Sequence, residues 1–156
     1  MKPEKNVPIP PSLGEPFEFM RLLWGLNHAL EVTSAQMATE LGVTAPQRML
    51  IRIAGRFPKI AAGQLAELLC VDAGTISTAL ARLEGRGVVR RERPANDRRR
   101  VAVELTPAGQ LLDVPAPNTV ESAVQTLLES TPPEQIDAAR SVLKRLAEIM
   151  LAQAQA

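Results

Sequence analysis

Apolar residues recur every three or four positions over most of the chain, which predicts a mainly helical protein. A first helix is predicted over residues 17–41, and Gly42 stands where a glycine commonly follows the last turn. A second helix is predicted to begin after Thr44, because Thr44 and Gln47 have the spacing of a capping box. The apolar positions assigned to these two helices are Met20, Leu23, Trp24, Leu30, Met49, Leu50, Ile53 and Phe57.

Two shorter helices joined by a tight turn are predicted between residues 63 and 87. Asp72 is the predicted N-cap of the second one, since its carboxylate can accept hydrogen bonds from the free amides of the first turn. In that helix Ile76, Leu80 and Leu83 share one face and form a buried stripe. The opposite face is short and polar, and it consists of Gly74, Thr75, Ser77, Thr78 and Arg82.

After Gly87 the apolar period changes to two, which predicts β-strands. Residues 88–93 and 101–105 are expected to form a two-stranded hairpin, and the sequence RPAND supplies its turn. Two more helices are predicted to begin at Thr106 and Thr131, where proline follows threonine. The expected fold is therefore mainly α with a small β-hairpin wing.

Two prolines interrupt the helical pattern between these last two helix starts. Pro115 and Pro117 each remove a helical hydrogen bond and clash with the preceding turn, at a cost of roughly 3 kcal/mol. A break or strong kink is therefore predicted over residues 113–118.

Charge is segregated along the chain, although the formal net charge is only +1. Residues 82–100 contain eight arginines against three acidic residues, a local net charge of +5. Such a concentration in an otherwise neutral or acidic chain predicts a localised anion-binding surface.

Two short helices followed by a basic hairpin describe a winged helix-turn-helix. Its second helix can enter the major groove of DNA if the outer face is short and polar, as residues 74–82 are. The hairpin would bring arginines to phosphates or into the adjacent minor groove. The predicted wing contacts are Arg91, Arg93, Asp97, Arg98, Arg99 and Arg100.

The sequence also resembles a known family over residues 41–110. The segments LAELLCVDAGTISTALARLEGRGVV and NDRRRVAVELTPAG are similar to the multiple-antibiotic-resistance-regulator (MarR) family of bacterial transcription regulators, and Asp97 and Arg99 fit the family's D-x-R wing motif. The resemblance implies a homodimer that represses transcription from a palindromic operator. It also implies that Arg99 enters the minor groove while Asp97 pairs with Arg82 or Arg86.

On this interpretation the chain has three parts. Residues 44–106 form the winged helix-turn-helix, an α-helical dimerisation layer comprises residues 17–43 and 107–156, and residues 1–16, with five prolines, form an extended arm. The alternative is a winged-helix protein-interaction module that binds an acidic partner through its basic wing. Such a module would carry large apolar or aromatic anchors on its second helix, and the GTIST segment carries none.

Family members commonly release DNA when a small anionic aromatic ligand binds or a cysteine is oxidised. A candidate effector pocket comprises Trp24, His28, Met49 and Arg52, in which Arg52 or His28 would meet a carboxylate. The single cysteine, Cys70, is expected to be buried and inert, because it stands at the apolar end of a predicted helix and has no cationic neighbour in sequence to activate it. Peroxide-sensing members carry their reactive cysteine in the first helix, where this chain has none.

Catalysis and cofactor binding have little support in the composition. One histidine, one cysteine and no tyrosine leave few candidates for a nucleophile and its base, or for metal ligands. We therefore expect no enzyme activity, no cofactor and no metal. The chain has no signal-peptide pattern and no apolar run of roughly 18 residues, so a cytoplasmic location is expected.

Overall fold

The computed structural model describes residues 12–93, 95 and 100–155. Within them, seven helices and three strands follow one another along the chain. Their bounds are α1 Glu15–Glu40, α2 Ala45–Arg56, β1 Ile60–Ala61, α3 Ala62–Leu69, α4 Ala73–Gly85, β2 Val89–Glu92, β3 Ala102–Leu105, α5 Pro107–Leu112, α6 Val120–Ser130 and α7 Pro133–Ala154. The mainly helical prediction is confirmed.

Three helix starts are capped as the sequence predicts. Thr44 and Gln47 form a capping box at α2, in which the Thr44 amide donates to Gln47 Oε1 at 3.1 Å. At α4 the Thr75 amide donates to Asp72 Oδ1 at 2.8 Å. At α5 the Thr106 side chain accepts from the Gly109 amide at 3.1 Å. These caps satisfy amides that would otherwise lack a partner in the first turn.

The last helix begins differently from the prediction. Thr131 does not cap α7; it follows the end of α6, and Pro132 occupies the N-cap position without a side-chain hydrogen bond. The second proline, Pro133, is thus the first helical residue, which places the start of α7 one residue later than a Thr131 cap would. At the other end of the chain, α1 begins at Glu15, inside the segment predicted to be an extended arm.

The hairpin prediction was incomplete, because the sheet has three antiparallel strands in the order β1-β3-β2. Ile60 pairs with Val103 and Ala61 with Ala102, so β3 is the central strand. Consequently Ala102 and Val103 are both buried, and the predicted alternation of buried and exposed residues fails there. With only two residues, β1 is too short to show a period-two pattern.

The core lies between α2, α3, α4 and the sheet. The predicted stripe of Ile76, Leu80 and Leu83 is fully buried in it. Of the stripe predicted for α2, Leu50 is buried and Ile53 packs against the core, but Met49 and Phe57 are exposed. Ile51 and Ala54 are buried in their place, so the predicted face is only partly correct. Apolar residues occupy several faces of this helix, and packing against β3 and α5 selects one of them. The core comprises Val43, Leu50, Ile51, Ala54, Ile60, Leu65, Ala66, Ile76, Leu80, Leu83, Val88, Val89 and Val103.

The predicted proline break is confirmed. Helix α5 ends at Leu112 and α6 begins at Val120, with Pro115 and Pro117 in the connection. Beyond this break, neither α6 nor α7 contains a buried residue. Among the described helices, none combines the length and the apolar character needed to cross a lipid bilayer.

Gly109 lies where α5 packs closely against the chain before β2. A Cβ atom at this position would overlap the carbonyl oxygen of Val88. We therefore expect Gly109→Ala to reduce the free energy of unfolding by about 2 kcal/mol, as forced overpacking does. Urea denaturation measures this change. Gly63→Ala is the control, because its Cβ would enter open space, and an equal loss in both variants would contradict the packing argument.

Candidate nucleic-acid interface

Helix α4 separates a buried apolar face from an exposed polar one. Ile76, Leu80 and Leu83 point into the core, while all five residues predicted to contact DNA are exposed. The Thr75 hydroxyl also donates to Asp72 Oδ2 at 2.7 Å, so this side chain is partly engaged in the cap. Hydrogen bonds from the Thr75 hydroxyl and amide lower the pKa of Asp72, which keeps the cap ionised. The exposed set is Gly74, Thr75, Ser77, Thr78 and Arg82.

The N-terminus of α2 lies beside this polar face, an arrangement that the sequence analysis missed. Thr44, Pro46 and Gln47 share a depression of about 600 Å³ with Thr78 and Arg82 of α4. No local motif signals this proximity, since it arises from the packing of two helices about thirty residues apart in sequence.

The described arginines of the hairpin differ in their surroundings. Arg91 is half-buried, and its Nε donates to Glu84 Oε2 at 2.8 Å, which ties β2 to α4. The Arg90 Nε donates to Glu104 Oε2 at 3.0 Å, across the strand pair β2–β3. Arg91 was predicted to contact DNA, but its guanidinium is already paired with Glu84 within the protein.

Arg93 and Arg100 are exposed at the loop end of the hairpin, just after β2 and just before β3. The other predicted wing residues, Asp97, Arg98 and Arg99, lie outside the described residues. The predicted pairing of Asp97 with Arg82 or Arg86 therefore stays a prediction.

A second set of charged residues joins α2 to the segment after α5, and the sequence analysis did not identify it. Arg48 is only 4% exposed, and its guanidinium donates to the carbonyl oxygens of Leu112 at 3.1 Å and Val114 at 2.6 Å. It also donates to Glu121 Oε2 of α6 at 3.0 Å. Arginine is suited to this position because its planar group can serve several acceptors at once.

Arg52, one turn further along α2, pairs with Asp113 and donates to Glu121 Oε1 at 3.1 Å. Partial burial lowers the pKa of Arg52, but the hydrogen bond to Asp113 and the charge of Glu121 outweigh it and raise that pKa. Gly55 makes room for this pair, since a Cβ there would overlap the Asp113 carboxylate.

An apolar groove of about 680 Å³ lies between α1, α2 and α4. Of the four residues predicted to line an effector pocket, Met49 lines this groove, but the structure does not bring the other three to it. Trp24 and His28 are exposed on α1, and Arg52 is paired with Asp113 and Glu121. The groove lining is Leu30, Glu31, Ser34, Ala35, Thr44, Ala45, Pro46, Met49, Leu50, Leu69, Val71, Thr75, Ile76 and Ala79.

Cys70 is exposed, and the prediction of a buried thiol is wrong. This residue follows the end of α3 with a left-handed backbone (φ 54°), and its amide donates to carbonyl oxygens of the last turn. Because the chain leaves the helix here, the side chain does not continue the buried face formed by Leu65 and Ala66.

The contact between Arg91 and Glu84 makes stability depend on pH. Hydrogen bonds from Arg91 lower the pKa of Glu84 below its ordinary value of about 4.5, despite some desolvation. A carboxylate with a lowered pKa in the folded state contributes stability above the unfolded-state value and loses it as pH falls further. We therefore expect Glu84→Gln to weaken the acid dependence of the unfolding free energy below about pH 4.5.

Urea denaturation across this pH range measures the effect. Glu129→Gln is the matched control, since Glu129 is exposed on α6 and accepts a hydrogen bond from Gln125. An acid dependence in Glu84→Gln identical to that of the unchanged protein would contradict the assignment.

Comparison with known proteins finds a matching family model, related sequences and similar solved structures. Residues 43–101 match the model of the MarR family. The chain is 28% identical to the organic hydroperoxide resistance transcriptional regulator of Bacillus subtilis, over 73% of this chain and 94% of that protein. It is 31% identical to the homoprotocatechuate degradative operon repressor of Escherichia coli, over 54% of this chain and 57% of that protein.

Among solved structures, it is similar to the S. aureus MepR–DNA complex, with a TM-score of 0.70 and 19% identity over 85% of this chain and 97% of that one. Members of the matched family are transcriptional regulators and not enzymes. The winged-helix fold, the family-model match over residues 43–101 and these similarities together support a MarR-family winged-helix regulator.

Proposed function

We propose that this protein represses transcription by binding a palindromic operator in double-stranded DNA as a homodimer. The observation that carries the proposal is the exposed polar face of α4, which lies opposite the buried stripe of Ile76, Leu80 and Leu83. Small polar residues let a helix approach base edges closely, and Arg82 supplies a long donor for direct readout. The repressor role is supported by the similarity to the homoprotocatechuate degradative operon repressor of E. coli.

The wing supplies contacts to the DNA backbone. Arg93 and Arg100 are exposed, so both are available to phosphates. For Arg98 and Arg99 the role rests on the family resemblance, in which Arg99 enters the minor groove. Arg91 is proposed to contribute mainly by holding β2 against α4 through Glu84.

The alternative of a protein-interaction module is less well supported. Protein interfaces depend on large anchors such as tryptophan, tyrosine and arginine in desolvated pockets. The exposed face of α4 offers Arg82 but neither an aromatic nor a large apolar residue. Its small polar composition favours a DNA groove.

Homodimerisation is supported by the exposed apolar residues of the outer helices. The 22-residue α7 has no buried residue, and α1, with 26 residues, buries only Met37. Contiguous apolar surface of this extent marks an interface in a protein that is stable in water. We therefore assign residues 17–43 and 107–156 to dimerisation. The exposed apolar residues include Phe17, Leu22, Trp24, Leu26, Val32, Val142, Leu143, Met150 and Leu151.

The family resemblance implies an anionic effector, but the residues that line the groove beside α1 do not favour binding of an anion. Its lining includes the carboxylate of Glu31 but no lysine, arginine or histidine. Arg52, the predicted partner of a ligand carboxylate, is already paired with Asp113 and Glu121. An uncharged or cationic apolar compound therefore fits this groove better than an anionic aromatic one.

Replacing Arg82 tests direct base readout. On duplexes enriched from a random library by the unchanged protein, we expect Arg82→Ala to weaken binding about tenfold or more, as loss of a good base contact does. Binding to an unrelated duplex should fall much less. Fluorescence anisotropy measures both affinities. Arg140→Ala is the control, because Arg140 is an exposed α7 residue paired with Asp137. Unchanged binding by Arg82→Ala would contradict its role in readout.

A charge on the exposed face of α7 tests dimerisation. We expect Leu151→Asp to shift the protein from dimer to monomer, because a carboxylate would be desolvated in an apolar interface. Sedimentation velocity measures the change, and far-ultraviolet circular dichroism checks that the helices remain. Gln135→Asp places the same charge near the start of α7. If Leu151→Asp stayed as dimeric as this control, α7 would not form the interface.

A further inference from the structure

The proline break leaves the winged-helix unit without a continuous helix leading into α6. Helix α5 has six residues and ends at Leu112, and α6 begins at Val120. Pro115 and Pro117 lack amide hydrogens, so the carbonyl groups at the end of α5 cannot all be satisfied by continuing the helix. Another interaction must fix the direction in which the chain leaves.

Arg48, in the first turn of α2, provides that interaction. Its buried guanidinium donates to the carbonyl oxygens of Leu112 and Val114, which lie on either side of the end of α5. The same group reaches Glu121 in the first turn of α6 at 3.0 Å. One rigid side chain therefore contacts α5, the connection and α6 together.

A second ion pair restricts rotation about this point. Arg52 contacts Asp113 at the end of α5 and Glu121 at the start of α6. Each carboxylate oxygen of Glu121 accepts a hydrogen bond from one of the two arginines. We call Arg48, Arg52, Asp113 and Glu121 the interlobe cluster.

We propose that the interlobe cluster sets the angle between the winged-helix unit and the dimerisation helices, and that it thereby determines which half-site spacing the dimer prefers. This inference rests on the proposed homodimer. In a dimer, a change of this angle moves the two α4 helices relative to each other. The spacing between successive major grooves on one side of DNA is fixed at about one helical turn. The four residues are positioning residues, since they act through the placement of α4.

The native cysteine allows this angle to be followed without DNA. Cys70 is the single cysteine of the chain and is exposed between α3 and α4. A nitroxide attached to it reports the distance between the two winged-helix units of a dimer by double electron–electron resonance. The unchanged full chain should give one narrow distance distribution.

Glu121→Gln removes the charge that both arginines contact, and Glu121 is 44% exposed, so folding should survive. We expect this variant, and Arg52→Gln, to broaden or shift the distribution. Glu129→Gln and Arg56→Gln make the same chemical changes elsewhere on α6 and α2, and they should leave it unchanged. Arg52→Lys keeps the charge but lacks the planar guanidinium group, so its distance distribution should lie between those of the unchanged protein and Arg52→Gln.

The matching functional readout is a panel of duplexes with the selected half-sites moved one base pair closer or further apart. The unchanged protein should favour one spacing. In Glu121→Gln we expect the affinity ratio between that spacing and its neighbours to fall about three- to tenfold, a coupling of ordinary size.

The outcomes separate this inference from the proposed function. Distance distributions and spacing ratios in Glu121→Gln and Arg52→Gln that match those of the unchanged protein would overturn the role of the cluster, with the homodimer intact. An unchanged protein without a dipolar signal would be no dimer, and the proposed function and this inference would both fall.

Discussion

The buried guanidinium of Arg48 is the constraint on which the arrangement of the outer helices depends. A charge at 4% exposure is costly unless several acceptors surround it, and here two carbonyl oxygens and one carboxylate do so. Within the described residues its Nε has no hydrogen-bond partner, so the site is not fully satisfied. The two carbonyl oxygens are available to Arg48 because the helix does not continue past Leu112 into the proline-containing connection. The proline break and the buried Arg48 guanidinium therefore depend on each other.

In the basic region, some arginines stabilise the fold through ion pairs and others are exposed to a partner. Arg90 and Arg91 are held by Glu104 and Glu84, so their charges are largely neutralised and they stabilise the sheet and its contact with α4. Arg82, Arg93 and Arg100 are exposed. Among the arginines that the structure describes, fewer are therefore available to a partner than the sequence suggests. The exposed arginines are also placed beside a helix face whose small residues permit close approach to DNA.

Local patterns predicted the parts of the fold that depend on neighbouring residues. The caps at Thr44, Asp72 and Thr106 and the proline break involve partners within a few positions, so their spacing is visible in the sequence. The interlobe cluster is different, since Arg48 contacts residues 64 to 73 positions away. Strand β1 was missed because two residues are too few to show the alternation of apolar and polar positions that indicates a strand. Cys70 is exposed because the backbone takes a left-handed conformation there. Glycine or asparagine usually occupies such a position, and a cysteine gives no sequence signal for it. For the candidate interface, the polar face of α4 was predictable, but the pairing of Arg91 was not.

Helix α4 and the wing are proposed to bind a specific DNA sequence together. The most direct measurement is fluorescence anisotropy of the unchanged full-length protein on DNA from the region upstream of its own coding sequence. An unrelated duplex of equal length serves as the comparison, across a salt series. We expect tight binding to the upstream duplex, much weaker binding to the unrelated one, and a linear fall of the logarithm of the affinity with the logarithm of the salt concentration, as released counterions require. Equal and weak binding to both duplexes at every salt concentration would contradict this expectation.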